Sequence, residues 1–236
     1  MIDIHSHILY GIDDGARTKK ESIELLKRQK ELGFTDIILT PHYIENTKYE
    51  ASIHQKNELI QELEKETDVK LYIGNEVYFS DKTIELLKEN KISTLNNSKY
   101  LLIELPMSNK IKDLDEMLFD LTVNNIIPII AHPERYSYVQ EDIKYLDRLK
   151  ETGALFQMNY GSLVGKYGKT CEKIAKKLLK KNYISFIGTD IHRIDHSIDM
   201  EKALKILKKI IKNEQKLDDL TRNNMKKVIE NKDIER

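Results

Sequence analysis

Seven short apolar runs recur along the chain: IDIH (2–5), DIIL (36–39), KLYIGN (70–75), YLLIE (100–104), IIPIIA (126–131), ALFQM (154–158) and ISFIG (184–188). Each is the length of a buried strand and rich in β-branched residues. Longer amphipathic stretches separate them. In ESIELLKRQKELGF, Ile23 and Leu26 fall on an inner stripe and Lys27 and Lys30 on an outer one, closed by Gly33. KNELIQELEKE, DKTIELLKEN, DLDEMLFDLTVNN, EDIKYLDRLKETG and CEKIAKKLLKKN repeat the pattern, and EKALKILKKIIKN with a weaker helix around LDDLTRNNMKKVIE ends the chain. Strands alternating with helices predict an α/β fold with a parallel sheet, either open and doubly wound or closed into a barrel. Both place functional residues at the C-terminal ends of the strands.

Metal-ligating residue types fall at those ends. His5 and His7 close the first run, with Asp13 and Asp14 just behind; residues i and i+2 of a strand share a face, so the two imidazoles point the same way. His42 follows the second run, Glu76 the third, Glu104 ends the fourth, His132 follows the fifth, and Asp190 and His192 follow the seventh; the sixth ends in Asn159, a poor metal ligand. Positions 5, 42, 76, 104, 132, 159 and 190 are separated by 37, 34, 28, 28, 27 and 31 residues, one βα unit each time. Five of the seven histidines lie on this rim. A core histidine or a surface strand explains any one of them, but not the set. Ligands from the first and last strands must meet at one centre, which favours a closed or nearly closed barrel. His5, His7, Asp14, His42, Glu76, Glu104, His132, Asp190 and His192 exceed the three or four ligands of a single zinc. Nine nitrogen and oxygen ligands without a thiolate suit two or three ions of Mn²⁺, Fe or Zn²⁺. Clustered divalent ions activate water and clamp an in-line displacement at phosphorus. Arg135, three residues past His132, is placed to grip phosphate oxygens through its planar fork.

Lys+Arg and Asp+Glu both number 39, so no overall positive field argues for nucleic acid. The segment from Lys202 onward carries eleven Lys/Arg against six Asp/Glu, read as a solvated helix face that leaves an anionic partner or oligomerisation open. The N-terminus lacks the cationic and then apolar order of a signal peptide, and no apolar run reaches the ~18 residues of a membrane span. With Cys171 as the single cysteine, the expectation is one cytoplasmic domain over residues 1–236 without membrane insertion. Cys171 has Lys177, not arginine, six residues on and sits in a helical pattern, so a cysteine phosphatase is excluded.

MIDIHSHILYGIDDG, LTPHY, GNEVY, LIELP, AHPERY, QMNYGSLVG and GTDIH occur in this order from residue 1 to about 192. Together they resemble the polymerase and histidinol phosphatase (PHP) superfamily, and within it the bacterial capsule-locus, manganese-dependent tyrosine-protein phosphatases. The resemblance implies a distorted seven-stranded (βα)7 barrel, a trinuclear metal site held by the nine residues above, and contact of Arg135 with the phosphoryl group. The expected chemistry is hydrolysis of phosphotyrosine by a metal-bridging hydroxide, with His42 or His192 as the imidazoles available to assist the leaving group. The implied partner is a bacterial tyrosine kinase that regulates capsular or exopolysaccharide synthesis. Two departures stand out. The family usually has proline where this chain has Ala16, and usually an arginine shortly after the last Asp-x-His, where HRIDHSID offers Arg193 and His196 instead. The alternatives are a PHP phosphomonoesterase acting on histidinol phosphate or another small metabolite, a metal-dependent amidohydrolase, and a non-catalytic binding module.

Overall fold

The computed structural model describes residues 1–196 and 198–235; the His196 side chain also lies outside the described residues, so its suggested stand-in role for the family arginine falls there too. Nine strands are found among the described residues: β1 (Ile2–Asp3), β2 (Asp36–Leu39), β3 (His42–Tyr43), β4 (Lys70–Ile73), β5 (Glu76–Tyr78), β6 (Tyr100–Glu104), β7 (Ile127–Ala131), β8 (Leu155–Asn159) and β9 (Phe186–Gly188). All pairs are parallel, in two sheets of order β1-β2-β4 and β3-β5-β6-β7-β8-β9. The expected α/β class and parallel pairing hold. No closed ring is found among the described residues: the ladder divides into two sheets, and past the expected runs at 36–39 and 70–75 the chain re-enters as the separate short strands β3 and β5 after interruptions at Thr40–Pro41 and Gly74–Asn75. Proline lacks the N–H a ladder needs, which accounts for the first interruption. Across the gap between the sheets' outer edges the chain makes one isolated parallel bridge, Ser6 to Ile191. The His7 N–H donates to the Ile191 carbonyl at 2.9 Å and the Asp190 N–H to the His5 carbonyl at 2.8 Å.

The strands are apolar on both faces, as a parallel sheet covered on both sides requires. Alternation sorts them into two clusters. Ile37, Leu39, Leu101, Ile103, Ile130, Phe156, Met158 and Ile187 face the helices. Ile38, Tyr100, Leu102, Ile129, Ala131, Leu155 and Phe186 face the other way, with Ile2 and Ile4. Met225, Val228 and Ile234 from the C-terminal segment pack into this second cluster, so the basic tail is not merely a solvated face.

The first helix shows how the local rules act. Thr18 caps Lys19–Glu31 by accepting from the Glu21 N–H, while the Glu21 carboxylate accepts from the Arg17 N–H at 2.9 Å. It buries Ser22, Leu25, Leu26 and Gln29; Ile23, expected inside, is only half-buried. Lys56, on the helix Ile53–Glu64, is fully buried behind the break between β4 and β5. Its ammonium donates to Asn75 Oδ1, to Ser93 Oγ at 2.8 Å and to the Gly74 carbonyl at 3.4 Å, and Asn75 Nδ2 donates to the Pro41 carbonyl at 3.0 Å. One buried lysine thereby ties together the two interruptions that precede His42 and Glu76. Among the described residues no helix is long and apolar enough to cross a membrane.

Candidate metal centre

The inward-facing register of the upper strands changes from apolar to polar. On β6 the sequence runs Tyr100, Leu102, Glu104; on β8, Leu155, Gln157, Asn159; past β9, Phe186, Gly188, Asp190. His42 pairs in register with Glu76 across β3 and β5. All nine candidate ligands converge here. Glu76 Oε2 sits at the middle, 3.1 Å from His5 Nε2, 3.3 Å from His7 Nε2 and 3.1 Å from His42 Nδ1. Its other oxygen is 2.9 Å from His132 Nε2, which is also 3.6 Å from Glu104 Oε1. Asp190 Oδ1 lies 3.5 Å from both His5 and His7 and 3.4 Å from His192 Nδ1. Asp14 Oδ1, at the mouth, is 3.6 Å from His42 Nε2 and 3.5 Å from His192 Nε2. Three groups of ligand atoms each lie within 4.8 Å of one another: His7, Asp14, His42 and His192; His5, His7 and Asp190; and His42, Glu76 and Glu104.

Local backbone and packing aim these side chains. His132 (φ 32°), directly after β7, and Asp190 (φ 50°), two residues past β9, both adopt left-handed backbone, which costs each on the order of 1–3 kcal/mol and turns the chain at the rim. Gly15 is obligatory: a Cβ there would come 2.1 Å from the His7 carbonyl oxygen and 2.7 Å from His7 Cβ. Ala16, where the family pattern has proline, uses its N–H to donate to that same carbonyl at 3.1 Å.

Several groups outside the nine candidates hold those side chains in place, of which the sequence had pointed to Asp13 and Asn159 without a role. Asp13 Oδ2 is 2.8 Å from His7 Nδ1 and accepts from the His42 N–H at 3.0 Å. Gln157 Oε1 is 2.9 Å from His5 Nδ1. Such partners fix the tautomer and orientation of a ligating imidazole. Asn159 Nδ2 donates to Asp190 Oδ2 at 2.6 Å. Asp3 accepts from the Thr189 N–H at 2.9 Å, tying β1 to the end of β9. Glu134, fully buried, accepts from Ser162 Oγ at 2.6 Å and from the Asn159 N–H at 3.0 Å, and burial pushes its pKa up to about 7. A polar residue inside the apolar run ALFQM was the available signal for Gln157; nothing in AHPERY distinguishes Glu134.

Electrostatics show a centre that demands positive charge. Burial alone would raise Glu76, but His5, His42 and His132 hold it well below the usual carboxylate range. Glu104, buried beside Glu76, is pushed up to about 8. Burial opposes charging His5, yet Glu76 and Asp190 raise it to about 9; Asp13 and Glu76 likewise raise His7 against its burial. Burial, aided by Arg135, lowers His132 to about 4. His42 Nδ1, His132 Nδ1 and Glu76 Oε2 are buried with no hydrogen-bond partner. Orphaned lone pairs among buried carboxylates and imidazoles are what divalent cations satisfy. The residues present therefore fit a multinuclear site of oxygen and nitrogen ligands.

Arg135 reaches this rim, its Nη1 donating to Asp190 Oδ2 at 3.3 Å. Arg193 turns away, 3.9 Å from Glu21 and 3.4 Å from Asp195. Cys171 lies buried on the helix Lys169–Lys180, its thiol pushed up to about 12 by burial, which excludes it as a thiolate nucleophile.

Proteins similar to this chain include tyrosine-protein phosphatases. The chain is 36% identical over 209 residues, 86% of its length and 82% of the relative's, to a putative tyrosine-protein phosphatase CapC of Staphylococcus aureus. It is 34% identical to the tyrosine-protein phosphatase YwqE of Bacillus subtilis, covering 89% of this chain and 84% of the relative. Among solved structures, one from a study of YwqE from Bacillus subtilis and CpsB from Streptococcus pneumoniae, described as unique metal-dependent tyrosine phosphatases, superposes with a TM-score of 0.91 at 32% identity. That match covers 100% of this chain and 97% of the other. The resemblance read from the motifs is borne out. The model for capsular polysaccharide synthesis proteins, CpsB/CapC, matches residues 1–230, and the chain belongs to that family.

Proposed function

We propose that this chain is a metal-dependent protein-tyrosine phosphatase whose metal ions are held by His5, His7, Asp14, His42, Glu76, Glu104, His132, Asp190 and His192. The observation that carries the reading is the convergence of five imidazoles and four carboxylates around Glu76 Oε2, with Arg135 at the rim, in a chain similar throughout its length to metal-dependent tyrosine phosphatases. Two or three ions are proposed: nitrogen and oxygen donors without a thiolate suit Mn²⁺, Fe or Zn²⁺ alike, and Mn²⁺ is put first on the resemblance to manganese-dependent phosphatases. When bound, such ions acidify water and offset the charge of a phosphoryl group.

The chain's own residues supply the rest. Arg135 presents a fixed charge to the equatorial phosphoryl oxygens, where negative charge must be stabilised during transfer. Asp13 and Gln157 keep His7 and His5 turned toward the centre. His42 and His192, with side chains 12% and 21% exposed, are the two imidazoles of the set that a substrate can reach. Phenol, with a pKa of about 10, leaves with little protonation, and any proton it receives comes from one of these two.

The two sheets, joined by the Ser6–Ile191 bridge, are proposed to act as one distorted seven-stranded barrel, β2 with β3 and β4 with β5 each counting as one interrupted strand. One domain over residues 1–236 is proposed because the family match spans 1–230 and the last helices pack into the inner core. A cytoplasmic location is supported by the single, buried free thiol. The proposed substrate is a bacterial tyrosine kinase governing capsule or exopolysaccharide synthesis, supported by the family's role. The test is phosphate release by chelated, Mn²⁺-reconstituted protein from a phosphotyrosine peptide and from histidinol phosphate. Activity on the peptide that falls about 10²–10³-fold in Arg135→Ala is expected; preference for histidinol phosphate would overturn the substrate.

A further inference from the structure

Two cations lie against one aromatic ring at the edge of the site. The Arg135 guanidinium carbon is 4.6 Å from the centroid of the Tyr167 ring, and Lys166 Nζ is 5.3 Å from it. Tyr167 Oη is 3.3 Å from Asp190 Oδ2, the oxygen that Arg135 also contacts. The loop that brings Lys166 here is built rather than loose. It follows the short helix Tyr160–Leu163 and is bracketed by Gly165 (φ 81°) and Gly168 (φ 91°). The Lys166 N–H donates to the Gly161 carbonyl at 3.1 Å, and the Gly168 N–H to the Gly165 carbonyl at 3.0 Å. The Lys166 stem lies along Gly161, where an added Cβ would meet its Cδ at 3.0 Å. The same stem lines a small cavity with Thr189 and Ile191, the residues on either side of Asp190.

The ammonium senses the centre. Partial desolvation draws its pKa below the ordinary lysine value, Asp190 opposes that, and Arg135 adds to it. Like charges gathered on one ring repel unless an anion lies between them. Asp190 fills that role here, but it is also a proposed metal ligand, and a carboxylate shared with metal ions offers the two cations less. A phosphoryl dianion at the mouth offers more. Arg193, the nearby alternative, is committed to Glu21 and Asp195.

We infer that Lys166 is a substrate-contacting residue that shares the phosphoryl group with Arg135, the Tyr167 ring holding both cations at one edge of the site. This rests on the phosphatase reading above. Orthophosphate is titrated calorimetrically into the Mn²⁺-reconstituted protein, and kcat and KM are measured on a phosphotyrosine peptide. Lys166→Met should weaken orthophosphate binding about tenfold and raise KM more than it lowers kcat, and Lys166→Arg should restore both. Orthophosphate binding and KM unchanged in Lys166→Met would overturn the inference. Binding of orthophosphate that depends on Lys166, in a wild type inert on every phosphotyrosine peptide, would keep the contact and remove the phosphatase reading.

Discussion

One inward sheet face carries two chemistries. In its lower half Leu102, Ile129, Leu155 and Phe186 fill the space with apolar volume, closed from below by Met225 and Val228. In its upper half, two or four residues further along the chain, stand Glu104, Gln157, Asn159 and Asp190. Both halves are largely buried: Leu102 and Phe186 are 0% exposed, Glu76 1% and Asp190 2%. Solvent access therefore does not separate them. The lower half stabilises the fold by removing apolar area from water. The upper half gathers buried charge that costs stability until cations satisfy it.

That contrast can be broken most strongly at its centre. Glu76→Gln should abolish Mn²⁺-dependent turnover, by about 10³-fold or more, because Glu76 Oε2 meets three imidazoles. In metal-free protein the same change removes the carboxylate that His5, His42 and His132 stabilise, so the melting temperature at neutral pH should fall; an unchanged melting temperature would show that these imidazoles do not stabilise its charge. Leu102→Ala, two residues below Glu104, should act on stability alone. It should cost about 2–5 kcal/mol in denaturant unfolding while the folded fraction keeps its metal content. Gln157→Leu leaves His5 without its Nδ1 partner and should weaken Mn²⁺ binding about 10–100-fold in a competition titration.

The smallest effect expected is a pH slope from Lys56. Burial draws its pKa from 10.5 down to about 7. Between those values the unfolded chain holds a proton that the folded chain has released, so stability rises with pH across that window. Metal-free Lys56→Met should lack that part of the slope in denaturant titrations from pH 7 to 10; identical slopes would show that the ammonium stays charged in its nest of neutral acceptors.

Much of this was legible in the sequence for a physical reason. A buried imidazole or carboxylate at a strand end needs a partner, and one at nearly every βα repeat needs a shared one. Apart from Asp14, the candidate ligand positions followed from that spacing, and the structure brings all nine candidate side chains together. The strand count did not follow: Pro41 marked the first break, but the second, at Gly74–Asn75, accompanies the bonds that Lys56 and Asn75 make across the chain. Asp13 and Asp14 are chemically alike in sequence; only the fold turns Asp13 behind His7 and leaves Asp14 at the mouth. The tail read as solvated because its lysines outnumber Met225 and Val228, which are nevertheless fully buried.

The most direct test is to count bound metal and turnover together. Chelated protein would be reconstituted with Mn²⁺, its ions counted by elemental analysis, and phosphate release from a phosphotyrosine peptide followed in wild type and Glu76→Gln. Two or three ions per wild-type chain, with both ions and turnover lost in the variant, is the expected result. Wild-type activity that survives with no bound metal, or a variant that keeps full activity, would contradict it.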